Sequence, residues 1–399
     1  MTRTLLTGAD VVFPDRVAAG HTLVIEDGRV AAVSSGLRSV GDGERRVDLT
    51  GCVILPGFVD VHVHGVLGRD VQDGPGAIAA IARDLPAFGV TAFCPTTVAC
   101  EPSTLTAVLH EVAALRAQPE PRAARVLPAH LESNFISPDF AGAQPTTCLR
   151  QVPARNDVGS RFSKTTPDVV SAVSAWDGAD ILAVIEACRP DVGIMTVAPE
   201  LTHALTLIRD LADAGIIVSI GHSAATYEQS LLAIAAGARQ ATHLYNRMTP
   251  LAHRDPGMVG AVLATDDVAA ELISDGFHVH PAAMRAAVRA KGASRIMAIT
   301  DGTAGSGLPR GAHAHLGGRR LTVGDVARLD DGTLAGSVLT MDKAFACLAG
   351  AAGAGLVDAA RMCATTPARE LGLDGLGVIA EGAIADLVVL DAGLGVRQT

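Results

Sequence analysis

Between about residues 56 and 350 the chain repeats one pattern: a short apolar run, a polar group at its end, then an amphipathic stretch of helical length. Phe58-Val59-Asp60-Val61 precedes a helix-like segment around 76–88, and Arg125-Val126-Leu127-Pro128 opens another unit. Gly193-Ile194-Met195-Thr196-Val197 precedes a helix near 201–214, and Ile216-Ile217-Val218-Ser219-Ile220 one near 224–236. Ala270-Glu271-Leu272-Ile273 precedes a helix near 281–291, and Arg295-Ile296-Met297-Ala298-Ile299 ends the series. Strands joined by crossover helices run parallel. This many units in this length fits a TIM-like (β/α)8 barrel better than an open sheet.

The two ends read differently. Leu23-Val24-Ile25 and Val30-Ala31-Ala32-Val33 flank Glu26-Asp27-Gly28-Arg29, whose Asp-Gly is a hairpin signal. Arg46-Val47-Asp48-Leu49 continues the strand pattern until Pro56-Gly57 breaks it. After about residue 365, Gly377-Val378-Ile379 and Ala385-Asp386-Leu387-Val388-Val389-Leu390-Asp391 read as edge strands. The expectation is a small β-sandwich domain built from both termini, residues 1–55 and 355–399, bracketing a barrel at 56–354. With 49% hydrophobic residues but only 3% aromatics, the core must be made of Ala, Val, Leu and Ile.

The formal charge is 32 − 42 = −10, and no basic run or stripe is present, so nucleic acid is not an expected partner. The seven cysteines at 52, 94, 100, 148, 188, 347 and 363 include no Cys-x-x-Cys, which argues against a disulfide framework or zinc knuckle. No leader pattern and no apolar stretch of membrane-spanning length occurs, so a cytoplasmic protein with no membrane partner is expected.

Barrel enzymes place catalytic groups at the C-terminal ends of their strands. Here those ends read Asp60-Val61-His62-Val63-His64-Gly65, His130-Leu131-Glu132, Gly221-His222-Ser223, Thr242-His243-Leu244, Asp275-Gly276-Phe277-His278 and Thr300-Asp301-Gly302. Side chains two apart on a strand share a face, so His62 and His64 can grip one cation. Taken alone, each histidine reads equally as a core or loop residue, and Glu132 as a solvated carboxylate; their joint placement points to a metal. Asp301 stands where a carboxylate could take a proton from the attacking water and return it to a leaving group. A turn aspartate before Gly302 is the plainer reading. His110 and His203, in predicted helices, and His313 and His315, in a Gly-rich loop, read as surface or packing residues. His130 reads as a core or supporting residue.

Together these segments resemble the N-acetylglucosamine-6-phosphate deacetylase family of the amidohydrolase superfamily. The resemblance rests on Pro56 to Gly65, His130-Leu131-Glu132, Gly221 to Thr226, Thr242 to Asn246 and His253-Arg254-Asp255-Pro256-Gly257. It continues through Asp275 to Val279, Thr300 to Thr303, Leu334-Ala335-Gly336-Ser337 and Ala385 to Val388. It implies that Glu132, His222 and His243 hold a principal divalent metal and that His62 and His64 help hold a second. Asp301 would be general acid/base as well as a metal neighbour, and His278 would polarise the scissile carbonyl. Ala143, Gln144, Asn246, Arg247, Arg254, Asp275, His278, Leu334, Ala335 and Gly336 become the candidate substrate contacts. Arg254 would pair with a sugar phosphate from the neighbouring subunit of a homodimer. Zinc is the first metal to expect, with iron or manganese as alternatives, because His and carboxylate ligands do not select sharply.

Three positions depart from the family pattern. Ser133-Asn134 follows Glu132 where Gly-Pro is usual; Gly142-Ala143-Gln144 replaces a Gly-Ala-His run; Arg247 follows Asn246 where Ala is common. A deacetylase for another N-acetylated sugar, such as the galacto isomer, is therefore the nearest alternative. A cyclic-amide hydrolase or deaminase would want a carboxylated lysine between its metals, yet Lys164, Lys291 and Lys343 are the only lysines and none follows a strand. A non-catalytic scaffold should have lost ligands, and all six candidates are present.

Overall fold

The computed structural model describes residues 3–36, 44–154 and 177–399; Lys164 falls outside them. Eight parallel strands form the barrel: β1 (Phe58–Val63), β2 (Val90–Thr97), β3 (Ala129–Leu131), β4 (Val192–Val197), β5 (Ile217–Ile220), β6 (Gln240–Ala241), β7 (Ala269–Ile273) and β8 (Ile296–Ile299). Register runs strand to strand, with His130 opposite Thr96, Thr196 opposite Ser219 and Glu271 opposite Met297. The ends of β1 and β8 close the ring. Asp301 N donates to His62 O at 3.0 Å, His64 N to Gly302 O at 2.9 Å, and the Thr300 hydroxyl to Asp60 at 2.6 Å.

β-branched runs make the strands and alanine-rich amphipathic segments the helices, as the pattern requires. Helix Tyr227–Ala236 begins on a reciprocal cap: Thr226 Oγ1 accepts from Gln229 N at 3.2 Å, and Gln229 Oε1 accepts from Thr226 N at 2.9 Å. Helix Pro281–Lys291 starts with proline at its first position under a His280 cap. The apolar core between strands and helices is aliphatic, with Phe58 stacked on Phe345 at 5.5 Å as a rare aromatic pair.

Both termini meet in one seven-stranded sheet with its own apolar cluster around Ala9, Val11, Leu23, Ile54 and Val389. Strand Leu387–Leu390 pairs antiparallel with Val53–Pro56, which stitches the C-terminus to the entry of β1. Gly377-Val378-Ile379 is not a strand: Gly377 has φ 70° and its backbone packs on Ala364, while Ile379 plugs the sheet's cluster from a loop. In the helical stretch from Gly355 to Glu370, Ala359, Met362, Cys363 and Ala368 pack into the barrel core, while Arg361 donates to Pro14 O of the N-terminal segment at 2.7 Å.

His313 and His315 lie on a strand, not in a loop. They begin a three-stranded antiparallel sheet, His313–Leu316, Arg319–Val323 and Ala327–Leu329, inserted after β8. Its apolar face covers Val98 and Ala335 beside the barrel mouth. His203 is the left-handed residue preceding helix Ala204–Asp213, and His110 is exposed within helix Pro102–Ala117. No helix among the described residues is long and apolar enough to cross a membrane.

Candidate metal centre and active site

Four imidazoles and two carboxylates converge at the C-terminal mouth of the barrel. Glu132 Oε1 lies 2.7 Å from His222 Nε2 and 2.9 Å from His243 Nε2. Glu132 Oε2 lies 3.3 Å from His64 Nε2, and Asp301 Oδ1 lies 3.2 Å from the same nitrogen and 3.5 Å from His62 Nε2. Glu132 thus stands between two histidine pairs: its Oε1 faces His222 and His243 and lies 3.8 Å from His62 Nε2, and its Oε2 faces His64.

The other ring nitrogen of each histidine is occupied. His64 Nδ1 faces Thr96 O at 3.1 Å, His222 Nδ1 faces Phe140 O at 2.8 Å, and His243 Nδ1 faces Asn246 O at 3.1 Å. His62 Nδ1 faces Glu271 Oε2 at 3.0 Å. Carbonyls and carboxylates only accept, so each Nδ1 carries a hydrogen, and each Nε2 points inward, where it can meet a cation with its lone pair or a carboxylate with an N–H. His222 Nε2 and His243 Nε2 are 3.0 Å apart, and the His62 and His64 Nε2 atoms 3.2 Å apart. Lone pairs that close repel unless positive charge stands between them. The donor atoms of Glu132, His222 and His243, and those of His62, His64 and Glu132, lie within 4.8 Å of one another. These residues fit divalent metal at one or two positions.

The electrostatics agree. Burial alone would neutralise Glu132; the His222 charge and hydrogen bonds from His222, His243 and His64 instead hold it well below the usual carboxylate range. Burial would likewise raise Asp301, but His64 and His62 keep it lowered. His64 resists desolvation through its bonds to Asp301 and Glu132 and rises to about 10. His62, further inside, is pushed down to about 3 by burial. Two buried carboxylates that stay ionised are what a cation requires.

Backbone strain is concentrated here. His222 (φ 47°), His243 (φ 33°), Tyr245 (φ 78°), Arg247 (φ 50°) and Asp301 (φ 48°) all adopt the left-handed region, which costs a non-glycine residue roughly 1–3 kcal/mol. Each turn swings a side chain off a strand end and into the mouth. Gly336 (φ 50°) is tied to this arrangement: a Cβ would come within 2.9 Å of Asp301 O and 3.3 Å of Asp301 Oδ1.

A cavity of about 400 Å³ opens above the cluster. His64, Glu132, His222, His243 and Asp301 line its floor, and Ala143, Gln144, Asn246, Arg247, His278, Leu334 and Gly336 its walls. Asp275 does not reach the cavity; its carboxylate instead faces His278 Nδ1 at 2.6 Å and caps the backbone N–H of Phe277 and His278. Ala335 is buried under the inserted sheet, and Arg254 is exposed outside this chain's cavity. Gln144 bridges Ala99 N and Glu132 Oε2, so it touches the candidate ligand carboxylate directly.

Glu271 escaped the residue-by-residue reading. It is fully buried, its Oε2 faces both His62 Nδ1 and His243 N, and its Oε1 has no hydrogen-bond partner while lying 3.6 Å from His130. Burial raises it to about 7. The available signal was one acid within an otherwise apolar strand, Ala269-Ala270-Glu271-Leu272-Ile273, pointing to the same side as the strand-end histidines. His130 is a buried support: Nδ1 faces Val61 O and Nε2 faces Thr196 Oγ1, each at 3.0 Å.

The amidohydrolase family profile matches residues 53–398. An N-acetylglucosamine-6-phosphate deacetylase of Lysinibacillus sphaericus is 34% identical over 94% of this chain and 90% of its own length. The chain belongs to the N-acetylglucosamine-6-phosphate deacetylase family. Within that family, a relative from Escherichia coli O157:H7, 36% identical over 95% of this chain and 92% of its own, is named an N-acetylgalactosamine-6-phosphate deacetylase. The Mycobacterium smegmatis family member, solved as a D267A mutant in complex with N-acetyl-D-glucosamine-6-phosphate, superposes with TM-score 0.84 at 31% identity, covering 99% of this chain and 97% of that one.

Proposed function

We propose that this chain is a divalent-metal-dependent deacetylase that hydrolyses N-acetylglucosamine 6-phosphate to glucosamine 6-phosphate and acetate. The observation that carries this reading is the inward set of four Nε2 atoms and two ionised carboxylates beneath a cavity of sugar size, in a chain of this family. Glu132, His222 and His243 would hold the principal metal, and His62 with His64 a second; zinc is the first choice. What the metal supplies when bound is Lewis acidity, which brings the pKa of a coordinated water toward neutrality.

Asp301, held ionised and 3.2 Å from His64, accepts the proton of the attacking water and delivers it to the departing amine. His278, with its Nδ1 hydrogen committed to Asp275, is braced to meet the acetyl oxygen through Nε2; the Asp275 carboxylate outweighs burial and raises its pKa. Asn246 and Gly336 shape the wall against which the sugar lies. Arg254 projects away from its own cavity, and Leu251 beside it is 56% exposed, which supports a homodimer in which Arg254 serves the partner's substrate. Seven free cysteines and no membrane-crossing helix among the described residues support a cytoplasmic setting.

The test is a substrate panel on metal-loaded protein: N-acetylglucosamine 6-phosphate, its galacto isomer, and both unphosphorylated sugars. The first should be the best substrate. No turnover of it by loaded protein sinks the reading, and a preference for the galacto isomer replaces it with the second one, which the E. coli relative's name and the changed residues Ser133, Gln144 and Arg247 favour. Lysine-bridged cyclic-amide chemistry has no support, because Lys291 and Lys343 lie on helices and Glu132 occupies the place between the histidine pairs.

A further inference from the structure

Arg247 follows Asn246 on the loop after β6 and lines the cavity. Its carbonyl accepts from Ser223 N at 3.0 Å, next to His222, and the preceding carbonyl, that of Asn246, faces His243 Nδ1 at 3.1 Å. The root of the side chain is therefore clamped to both loops that carry the histidines of the principal metal. From there the guanidinium runs along the cavity wall over Gly142. A Cβ on Gly142 would meet Arg247 Nε at 2.7 Å and Cζ at 3.3 Å, and Gly142 itself has φ +62°. The bare glycine thus leaves the channel that the arginine occupies.

Asp139, Glu132 and Asp301 line the same cavity, but none of them is paired with the guanidinium. Among the described residues it has no ion pair and no hydrogen bond, unlike the arginines at 116, 125, 150 and 295, which all hold carboxylates. It is exposed and lines the cavity. An arginine fixed at its root, laid along the wall of a ligand cavity and left unpaired is a group free to take an anion, and its planar fork matches phosphate oxygens.

We propose that Arg247 is a phosphate anchor supplied by the subunit's own chain, reading the 6-phosphate of the amino sugar from the rim opposite the metal floor. The proposal rests on the deacetylase reading above and deepens it. It makes phosphate recognition partly independent of the partner subunit's contribution.

The experiment compares wild type, Arg247→Ala and Arg247→Lys, all metal-loaded, on N-acetylglucosamine 6-phosphate and on unphosphorylated N-acetylglucosamine. A second readout is calorimetric binding of glucosamine 6-phosphate and of glucosamine. Arg247→Ala should raise KM for the phosphorylated sugar by on the order of tenfold, with a smaller change in kcat, as expected for loss of a charge-assisted contact at a partly exposed site. The kcat/KM ratio between phosphorylated and unphosphorylated sugars should fall by a similar factor, and Arg247→Lys should recover part of it. Calorimetry should show the same selective weakening. An unchanged KM, or an equal loss on both sugars, overturns the proposal while leaving the deacetylase reading intact. If wild type turns over no phosphorylated sugar, the deacetylase reading fails, and the calorimetric ratio still decides Arg247: no selective weakening refutes it.

Discussion

The two halves of the candidate metal centre are built by opposite means. His62 lies on β1 and His64 directly after its last residue, and their Nδ1 atoms are fixed from inside the barrel by Glu271 and by the Thr96 carbonyl of β2. His222 and His243 sit just past β5 and β6 on left-handed turns, and their Nδ1 atoms are fixed by carbonyls of the covering loops, Phe140 and Asn246. One half is part of the core, and the other is held by the same loops that wall the cavity. The difference teaches that the first half should answer to changes deep in the barrel and the second to changes around the substrate.

Variants can break that comparison. Asp301→Asn, at the junction of both halves, should lower kcat by roughly 10²–10⁴-fold while metal content per chain stays the same; activity retained in this variant would remove Asp301 from the mechanism. His222→Ala should strip the principal metal and nearly all turnover, whereas His62→Ala should reduce metal content by about one ion per chain and leave the His222 side filled. Elemental analysis beside acetate release reads both, and identical metal losses would show that the halves are one indivisible site. Glu271→Gln should weaken metal binding at the His62 side by roughly 10–100-fold, the usual cost of losing an outer carboxylate–histidine partner, with the other side much less affected. A chelator titration followed by metal counting separates the two.

The smallest expected effect lies far from both halves and serves as their control. Lys291 is buried at the end of its helix, donates to Thr265 O, and is pushed down to about 8 by desolvation. Its folded pKa lies below the ordinary 10.5, so the unfolded chain binds the extra proton between those values. The penalty is full below about pH 8 and fades as pH climbs toward 10.5. Lys291→Met should therefore raise Tm at pH 7, lose that advantage near pH 10.5, and leave metal content unchanged; a Tm gain of the same size at both pH values would discard the ionisation account.

The core half of the site was the more legible in sequence. His62 and His64 show their shared face by spacing alone, and the repeated strand–helix pattern shows the barrel. The loop half needed more: nothing in the spacing around His222 or His243 announces a left-handed turn, because such turns are selected by tertiary contacts rather than by local propensity. Glu271 hid for the reverse reason, since a lone acid in an apolar strand has meaning only once its neighbour across the barrel is known. Gly377-Val378-Ile379 misled because Ile379 is buried as a strand residue would be, yet it gets there from a glycine turn. The inserted sheet from His313 to Leu329 was obscured by its glycines, which read as a loop but serve as the tight turns between short strands.

The seam between β1 and β8 carries a further meaning. Asp60 and Thr300, 240 positions apart, are bonded across it, and Asp301 reaches His62 and His64 only when the seam is shut. Contacts so distant along the chain form late and slowly. During synthesis, the first three-quarters of the polypeptide can emerge from the ribosome with the five candidate ligands already made and still lack Asp301, the proposed base. The proposed chemistry therefore waits on the closing of the ring.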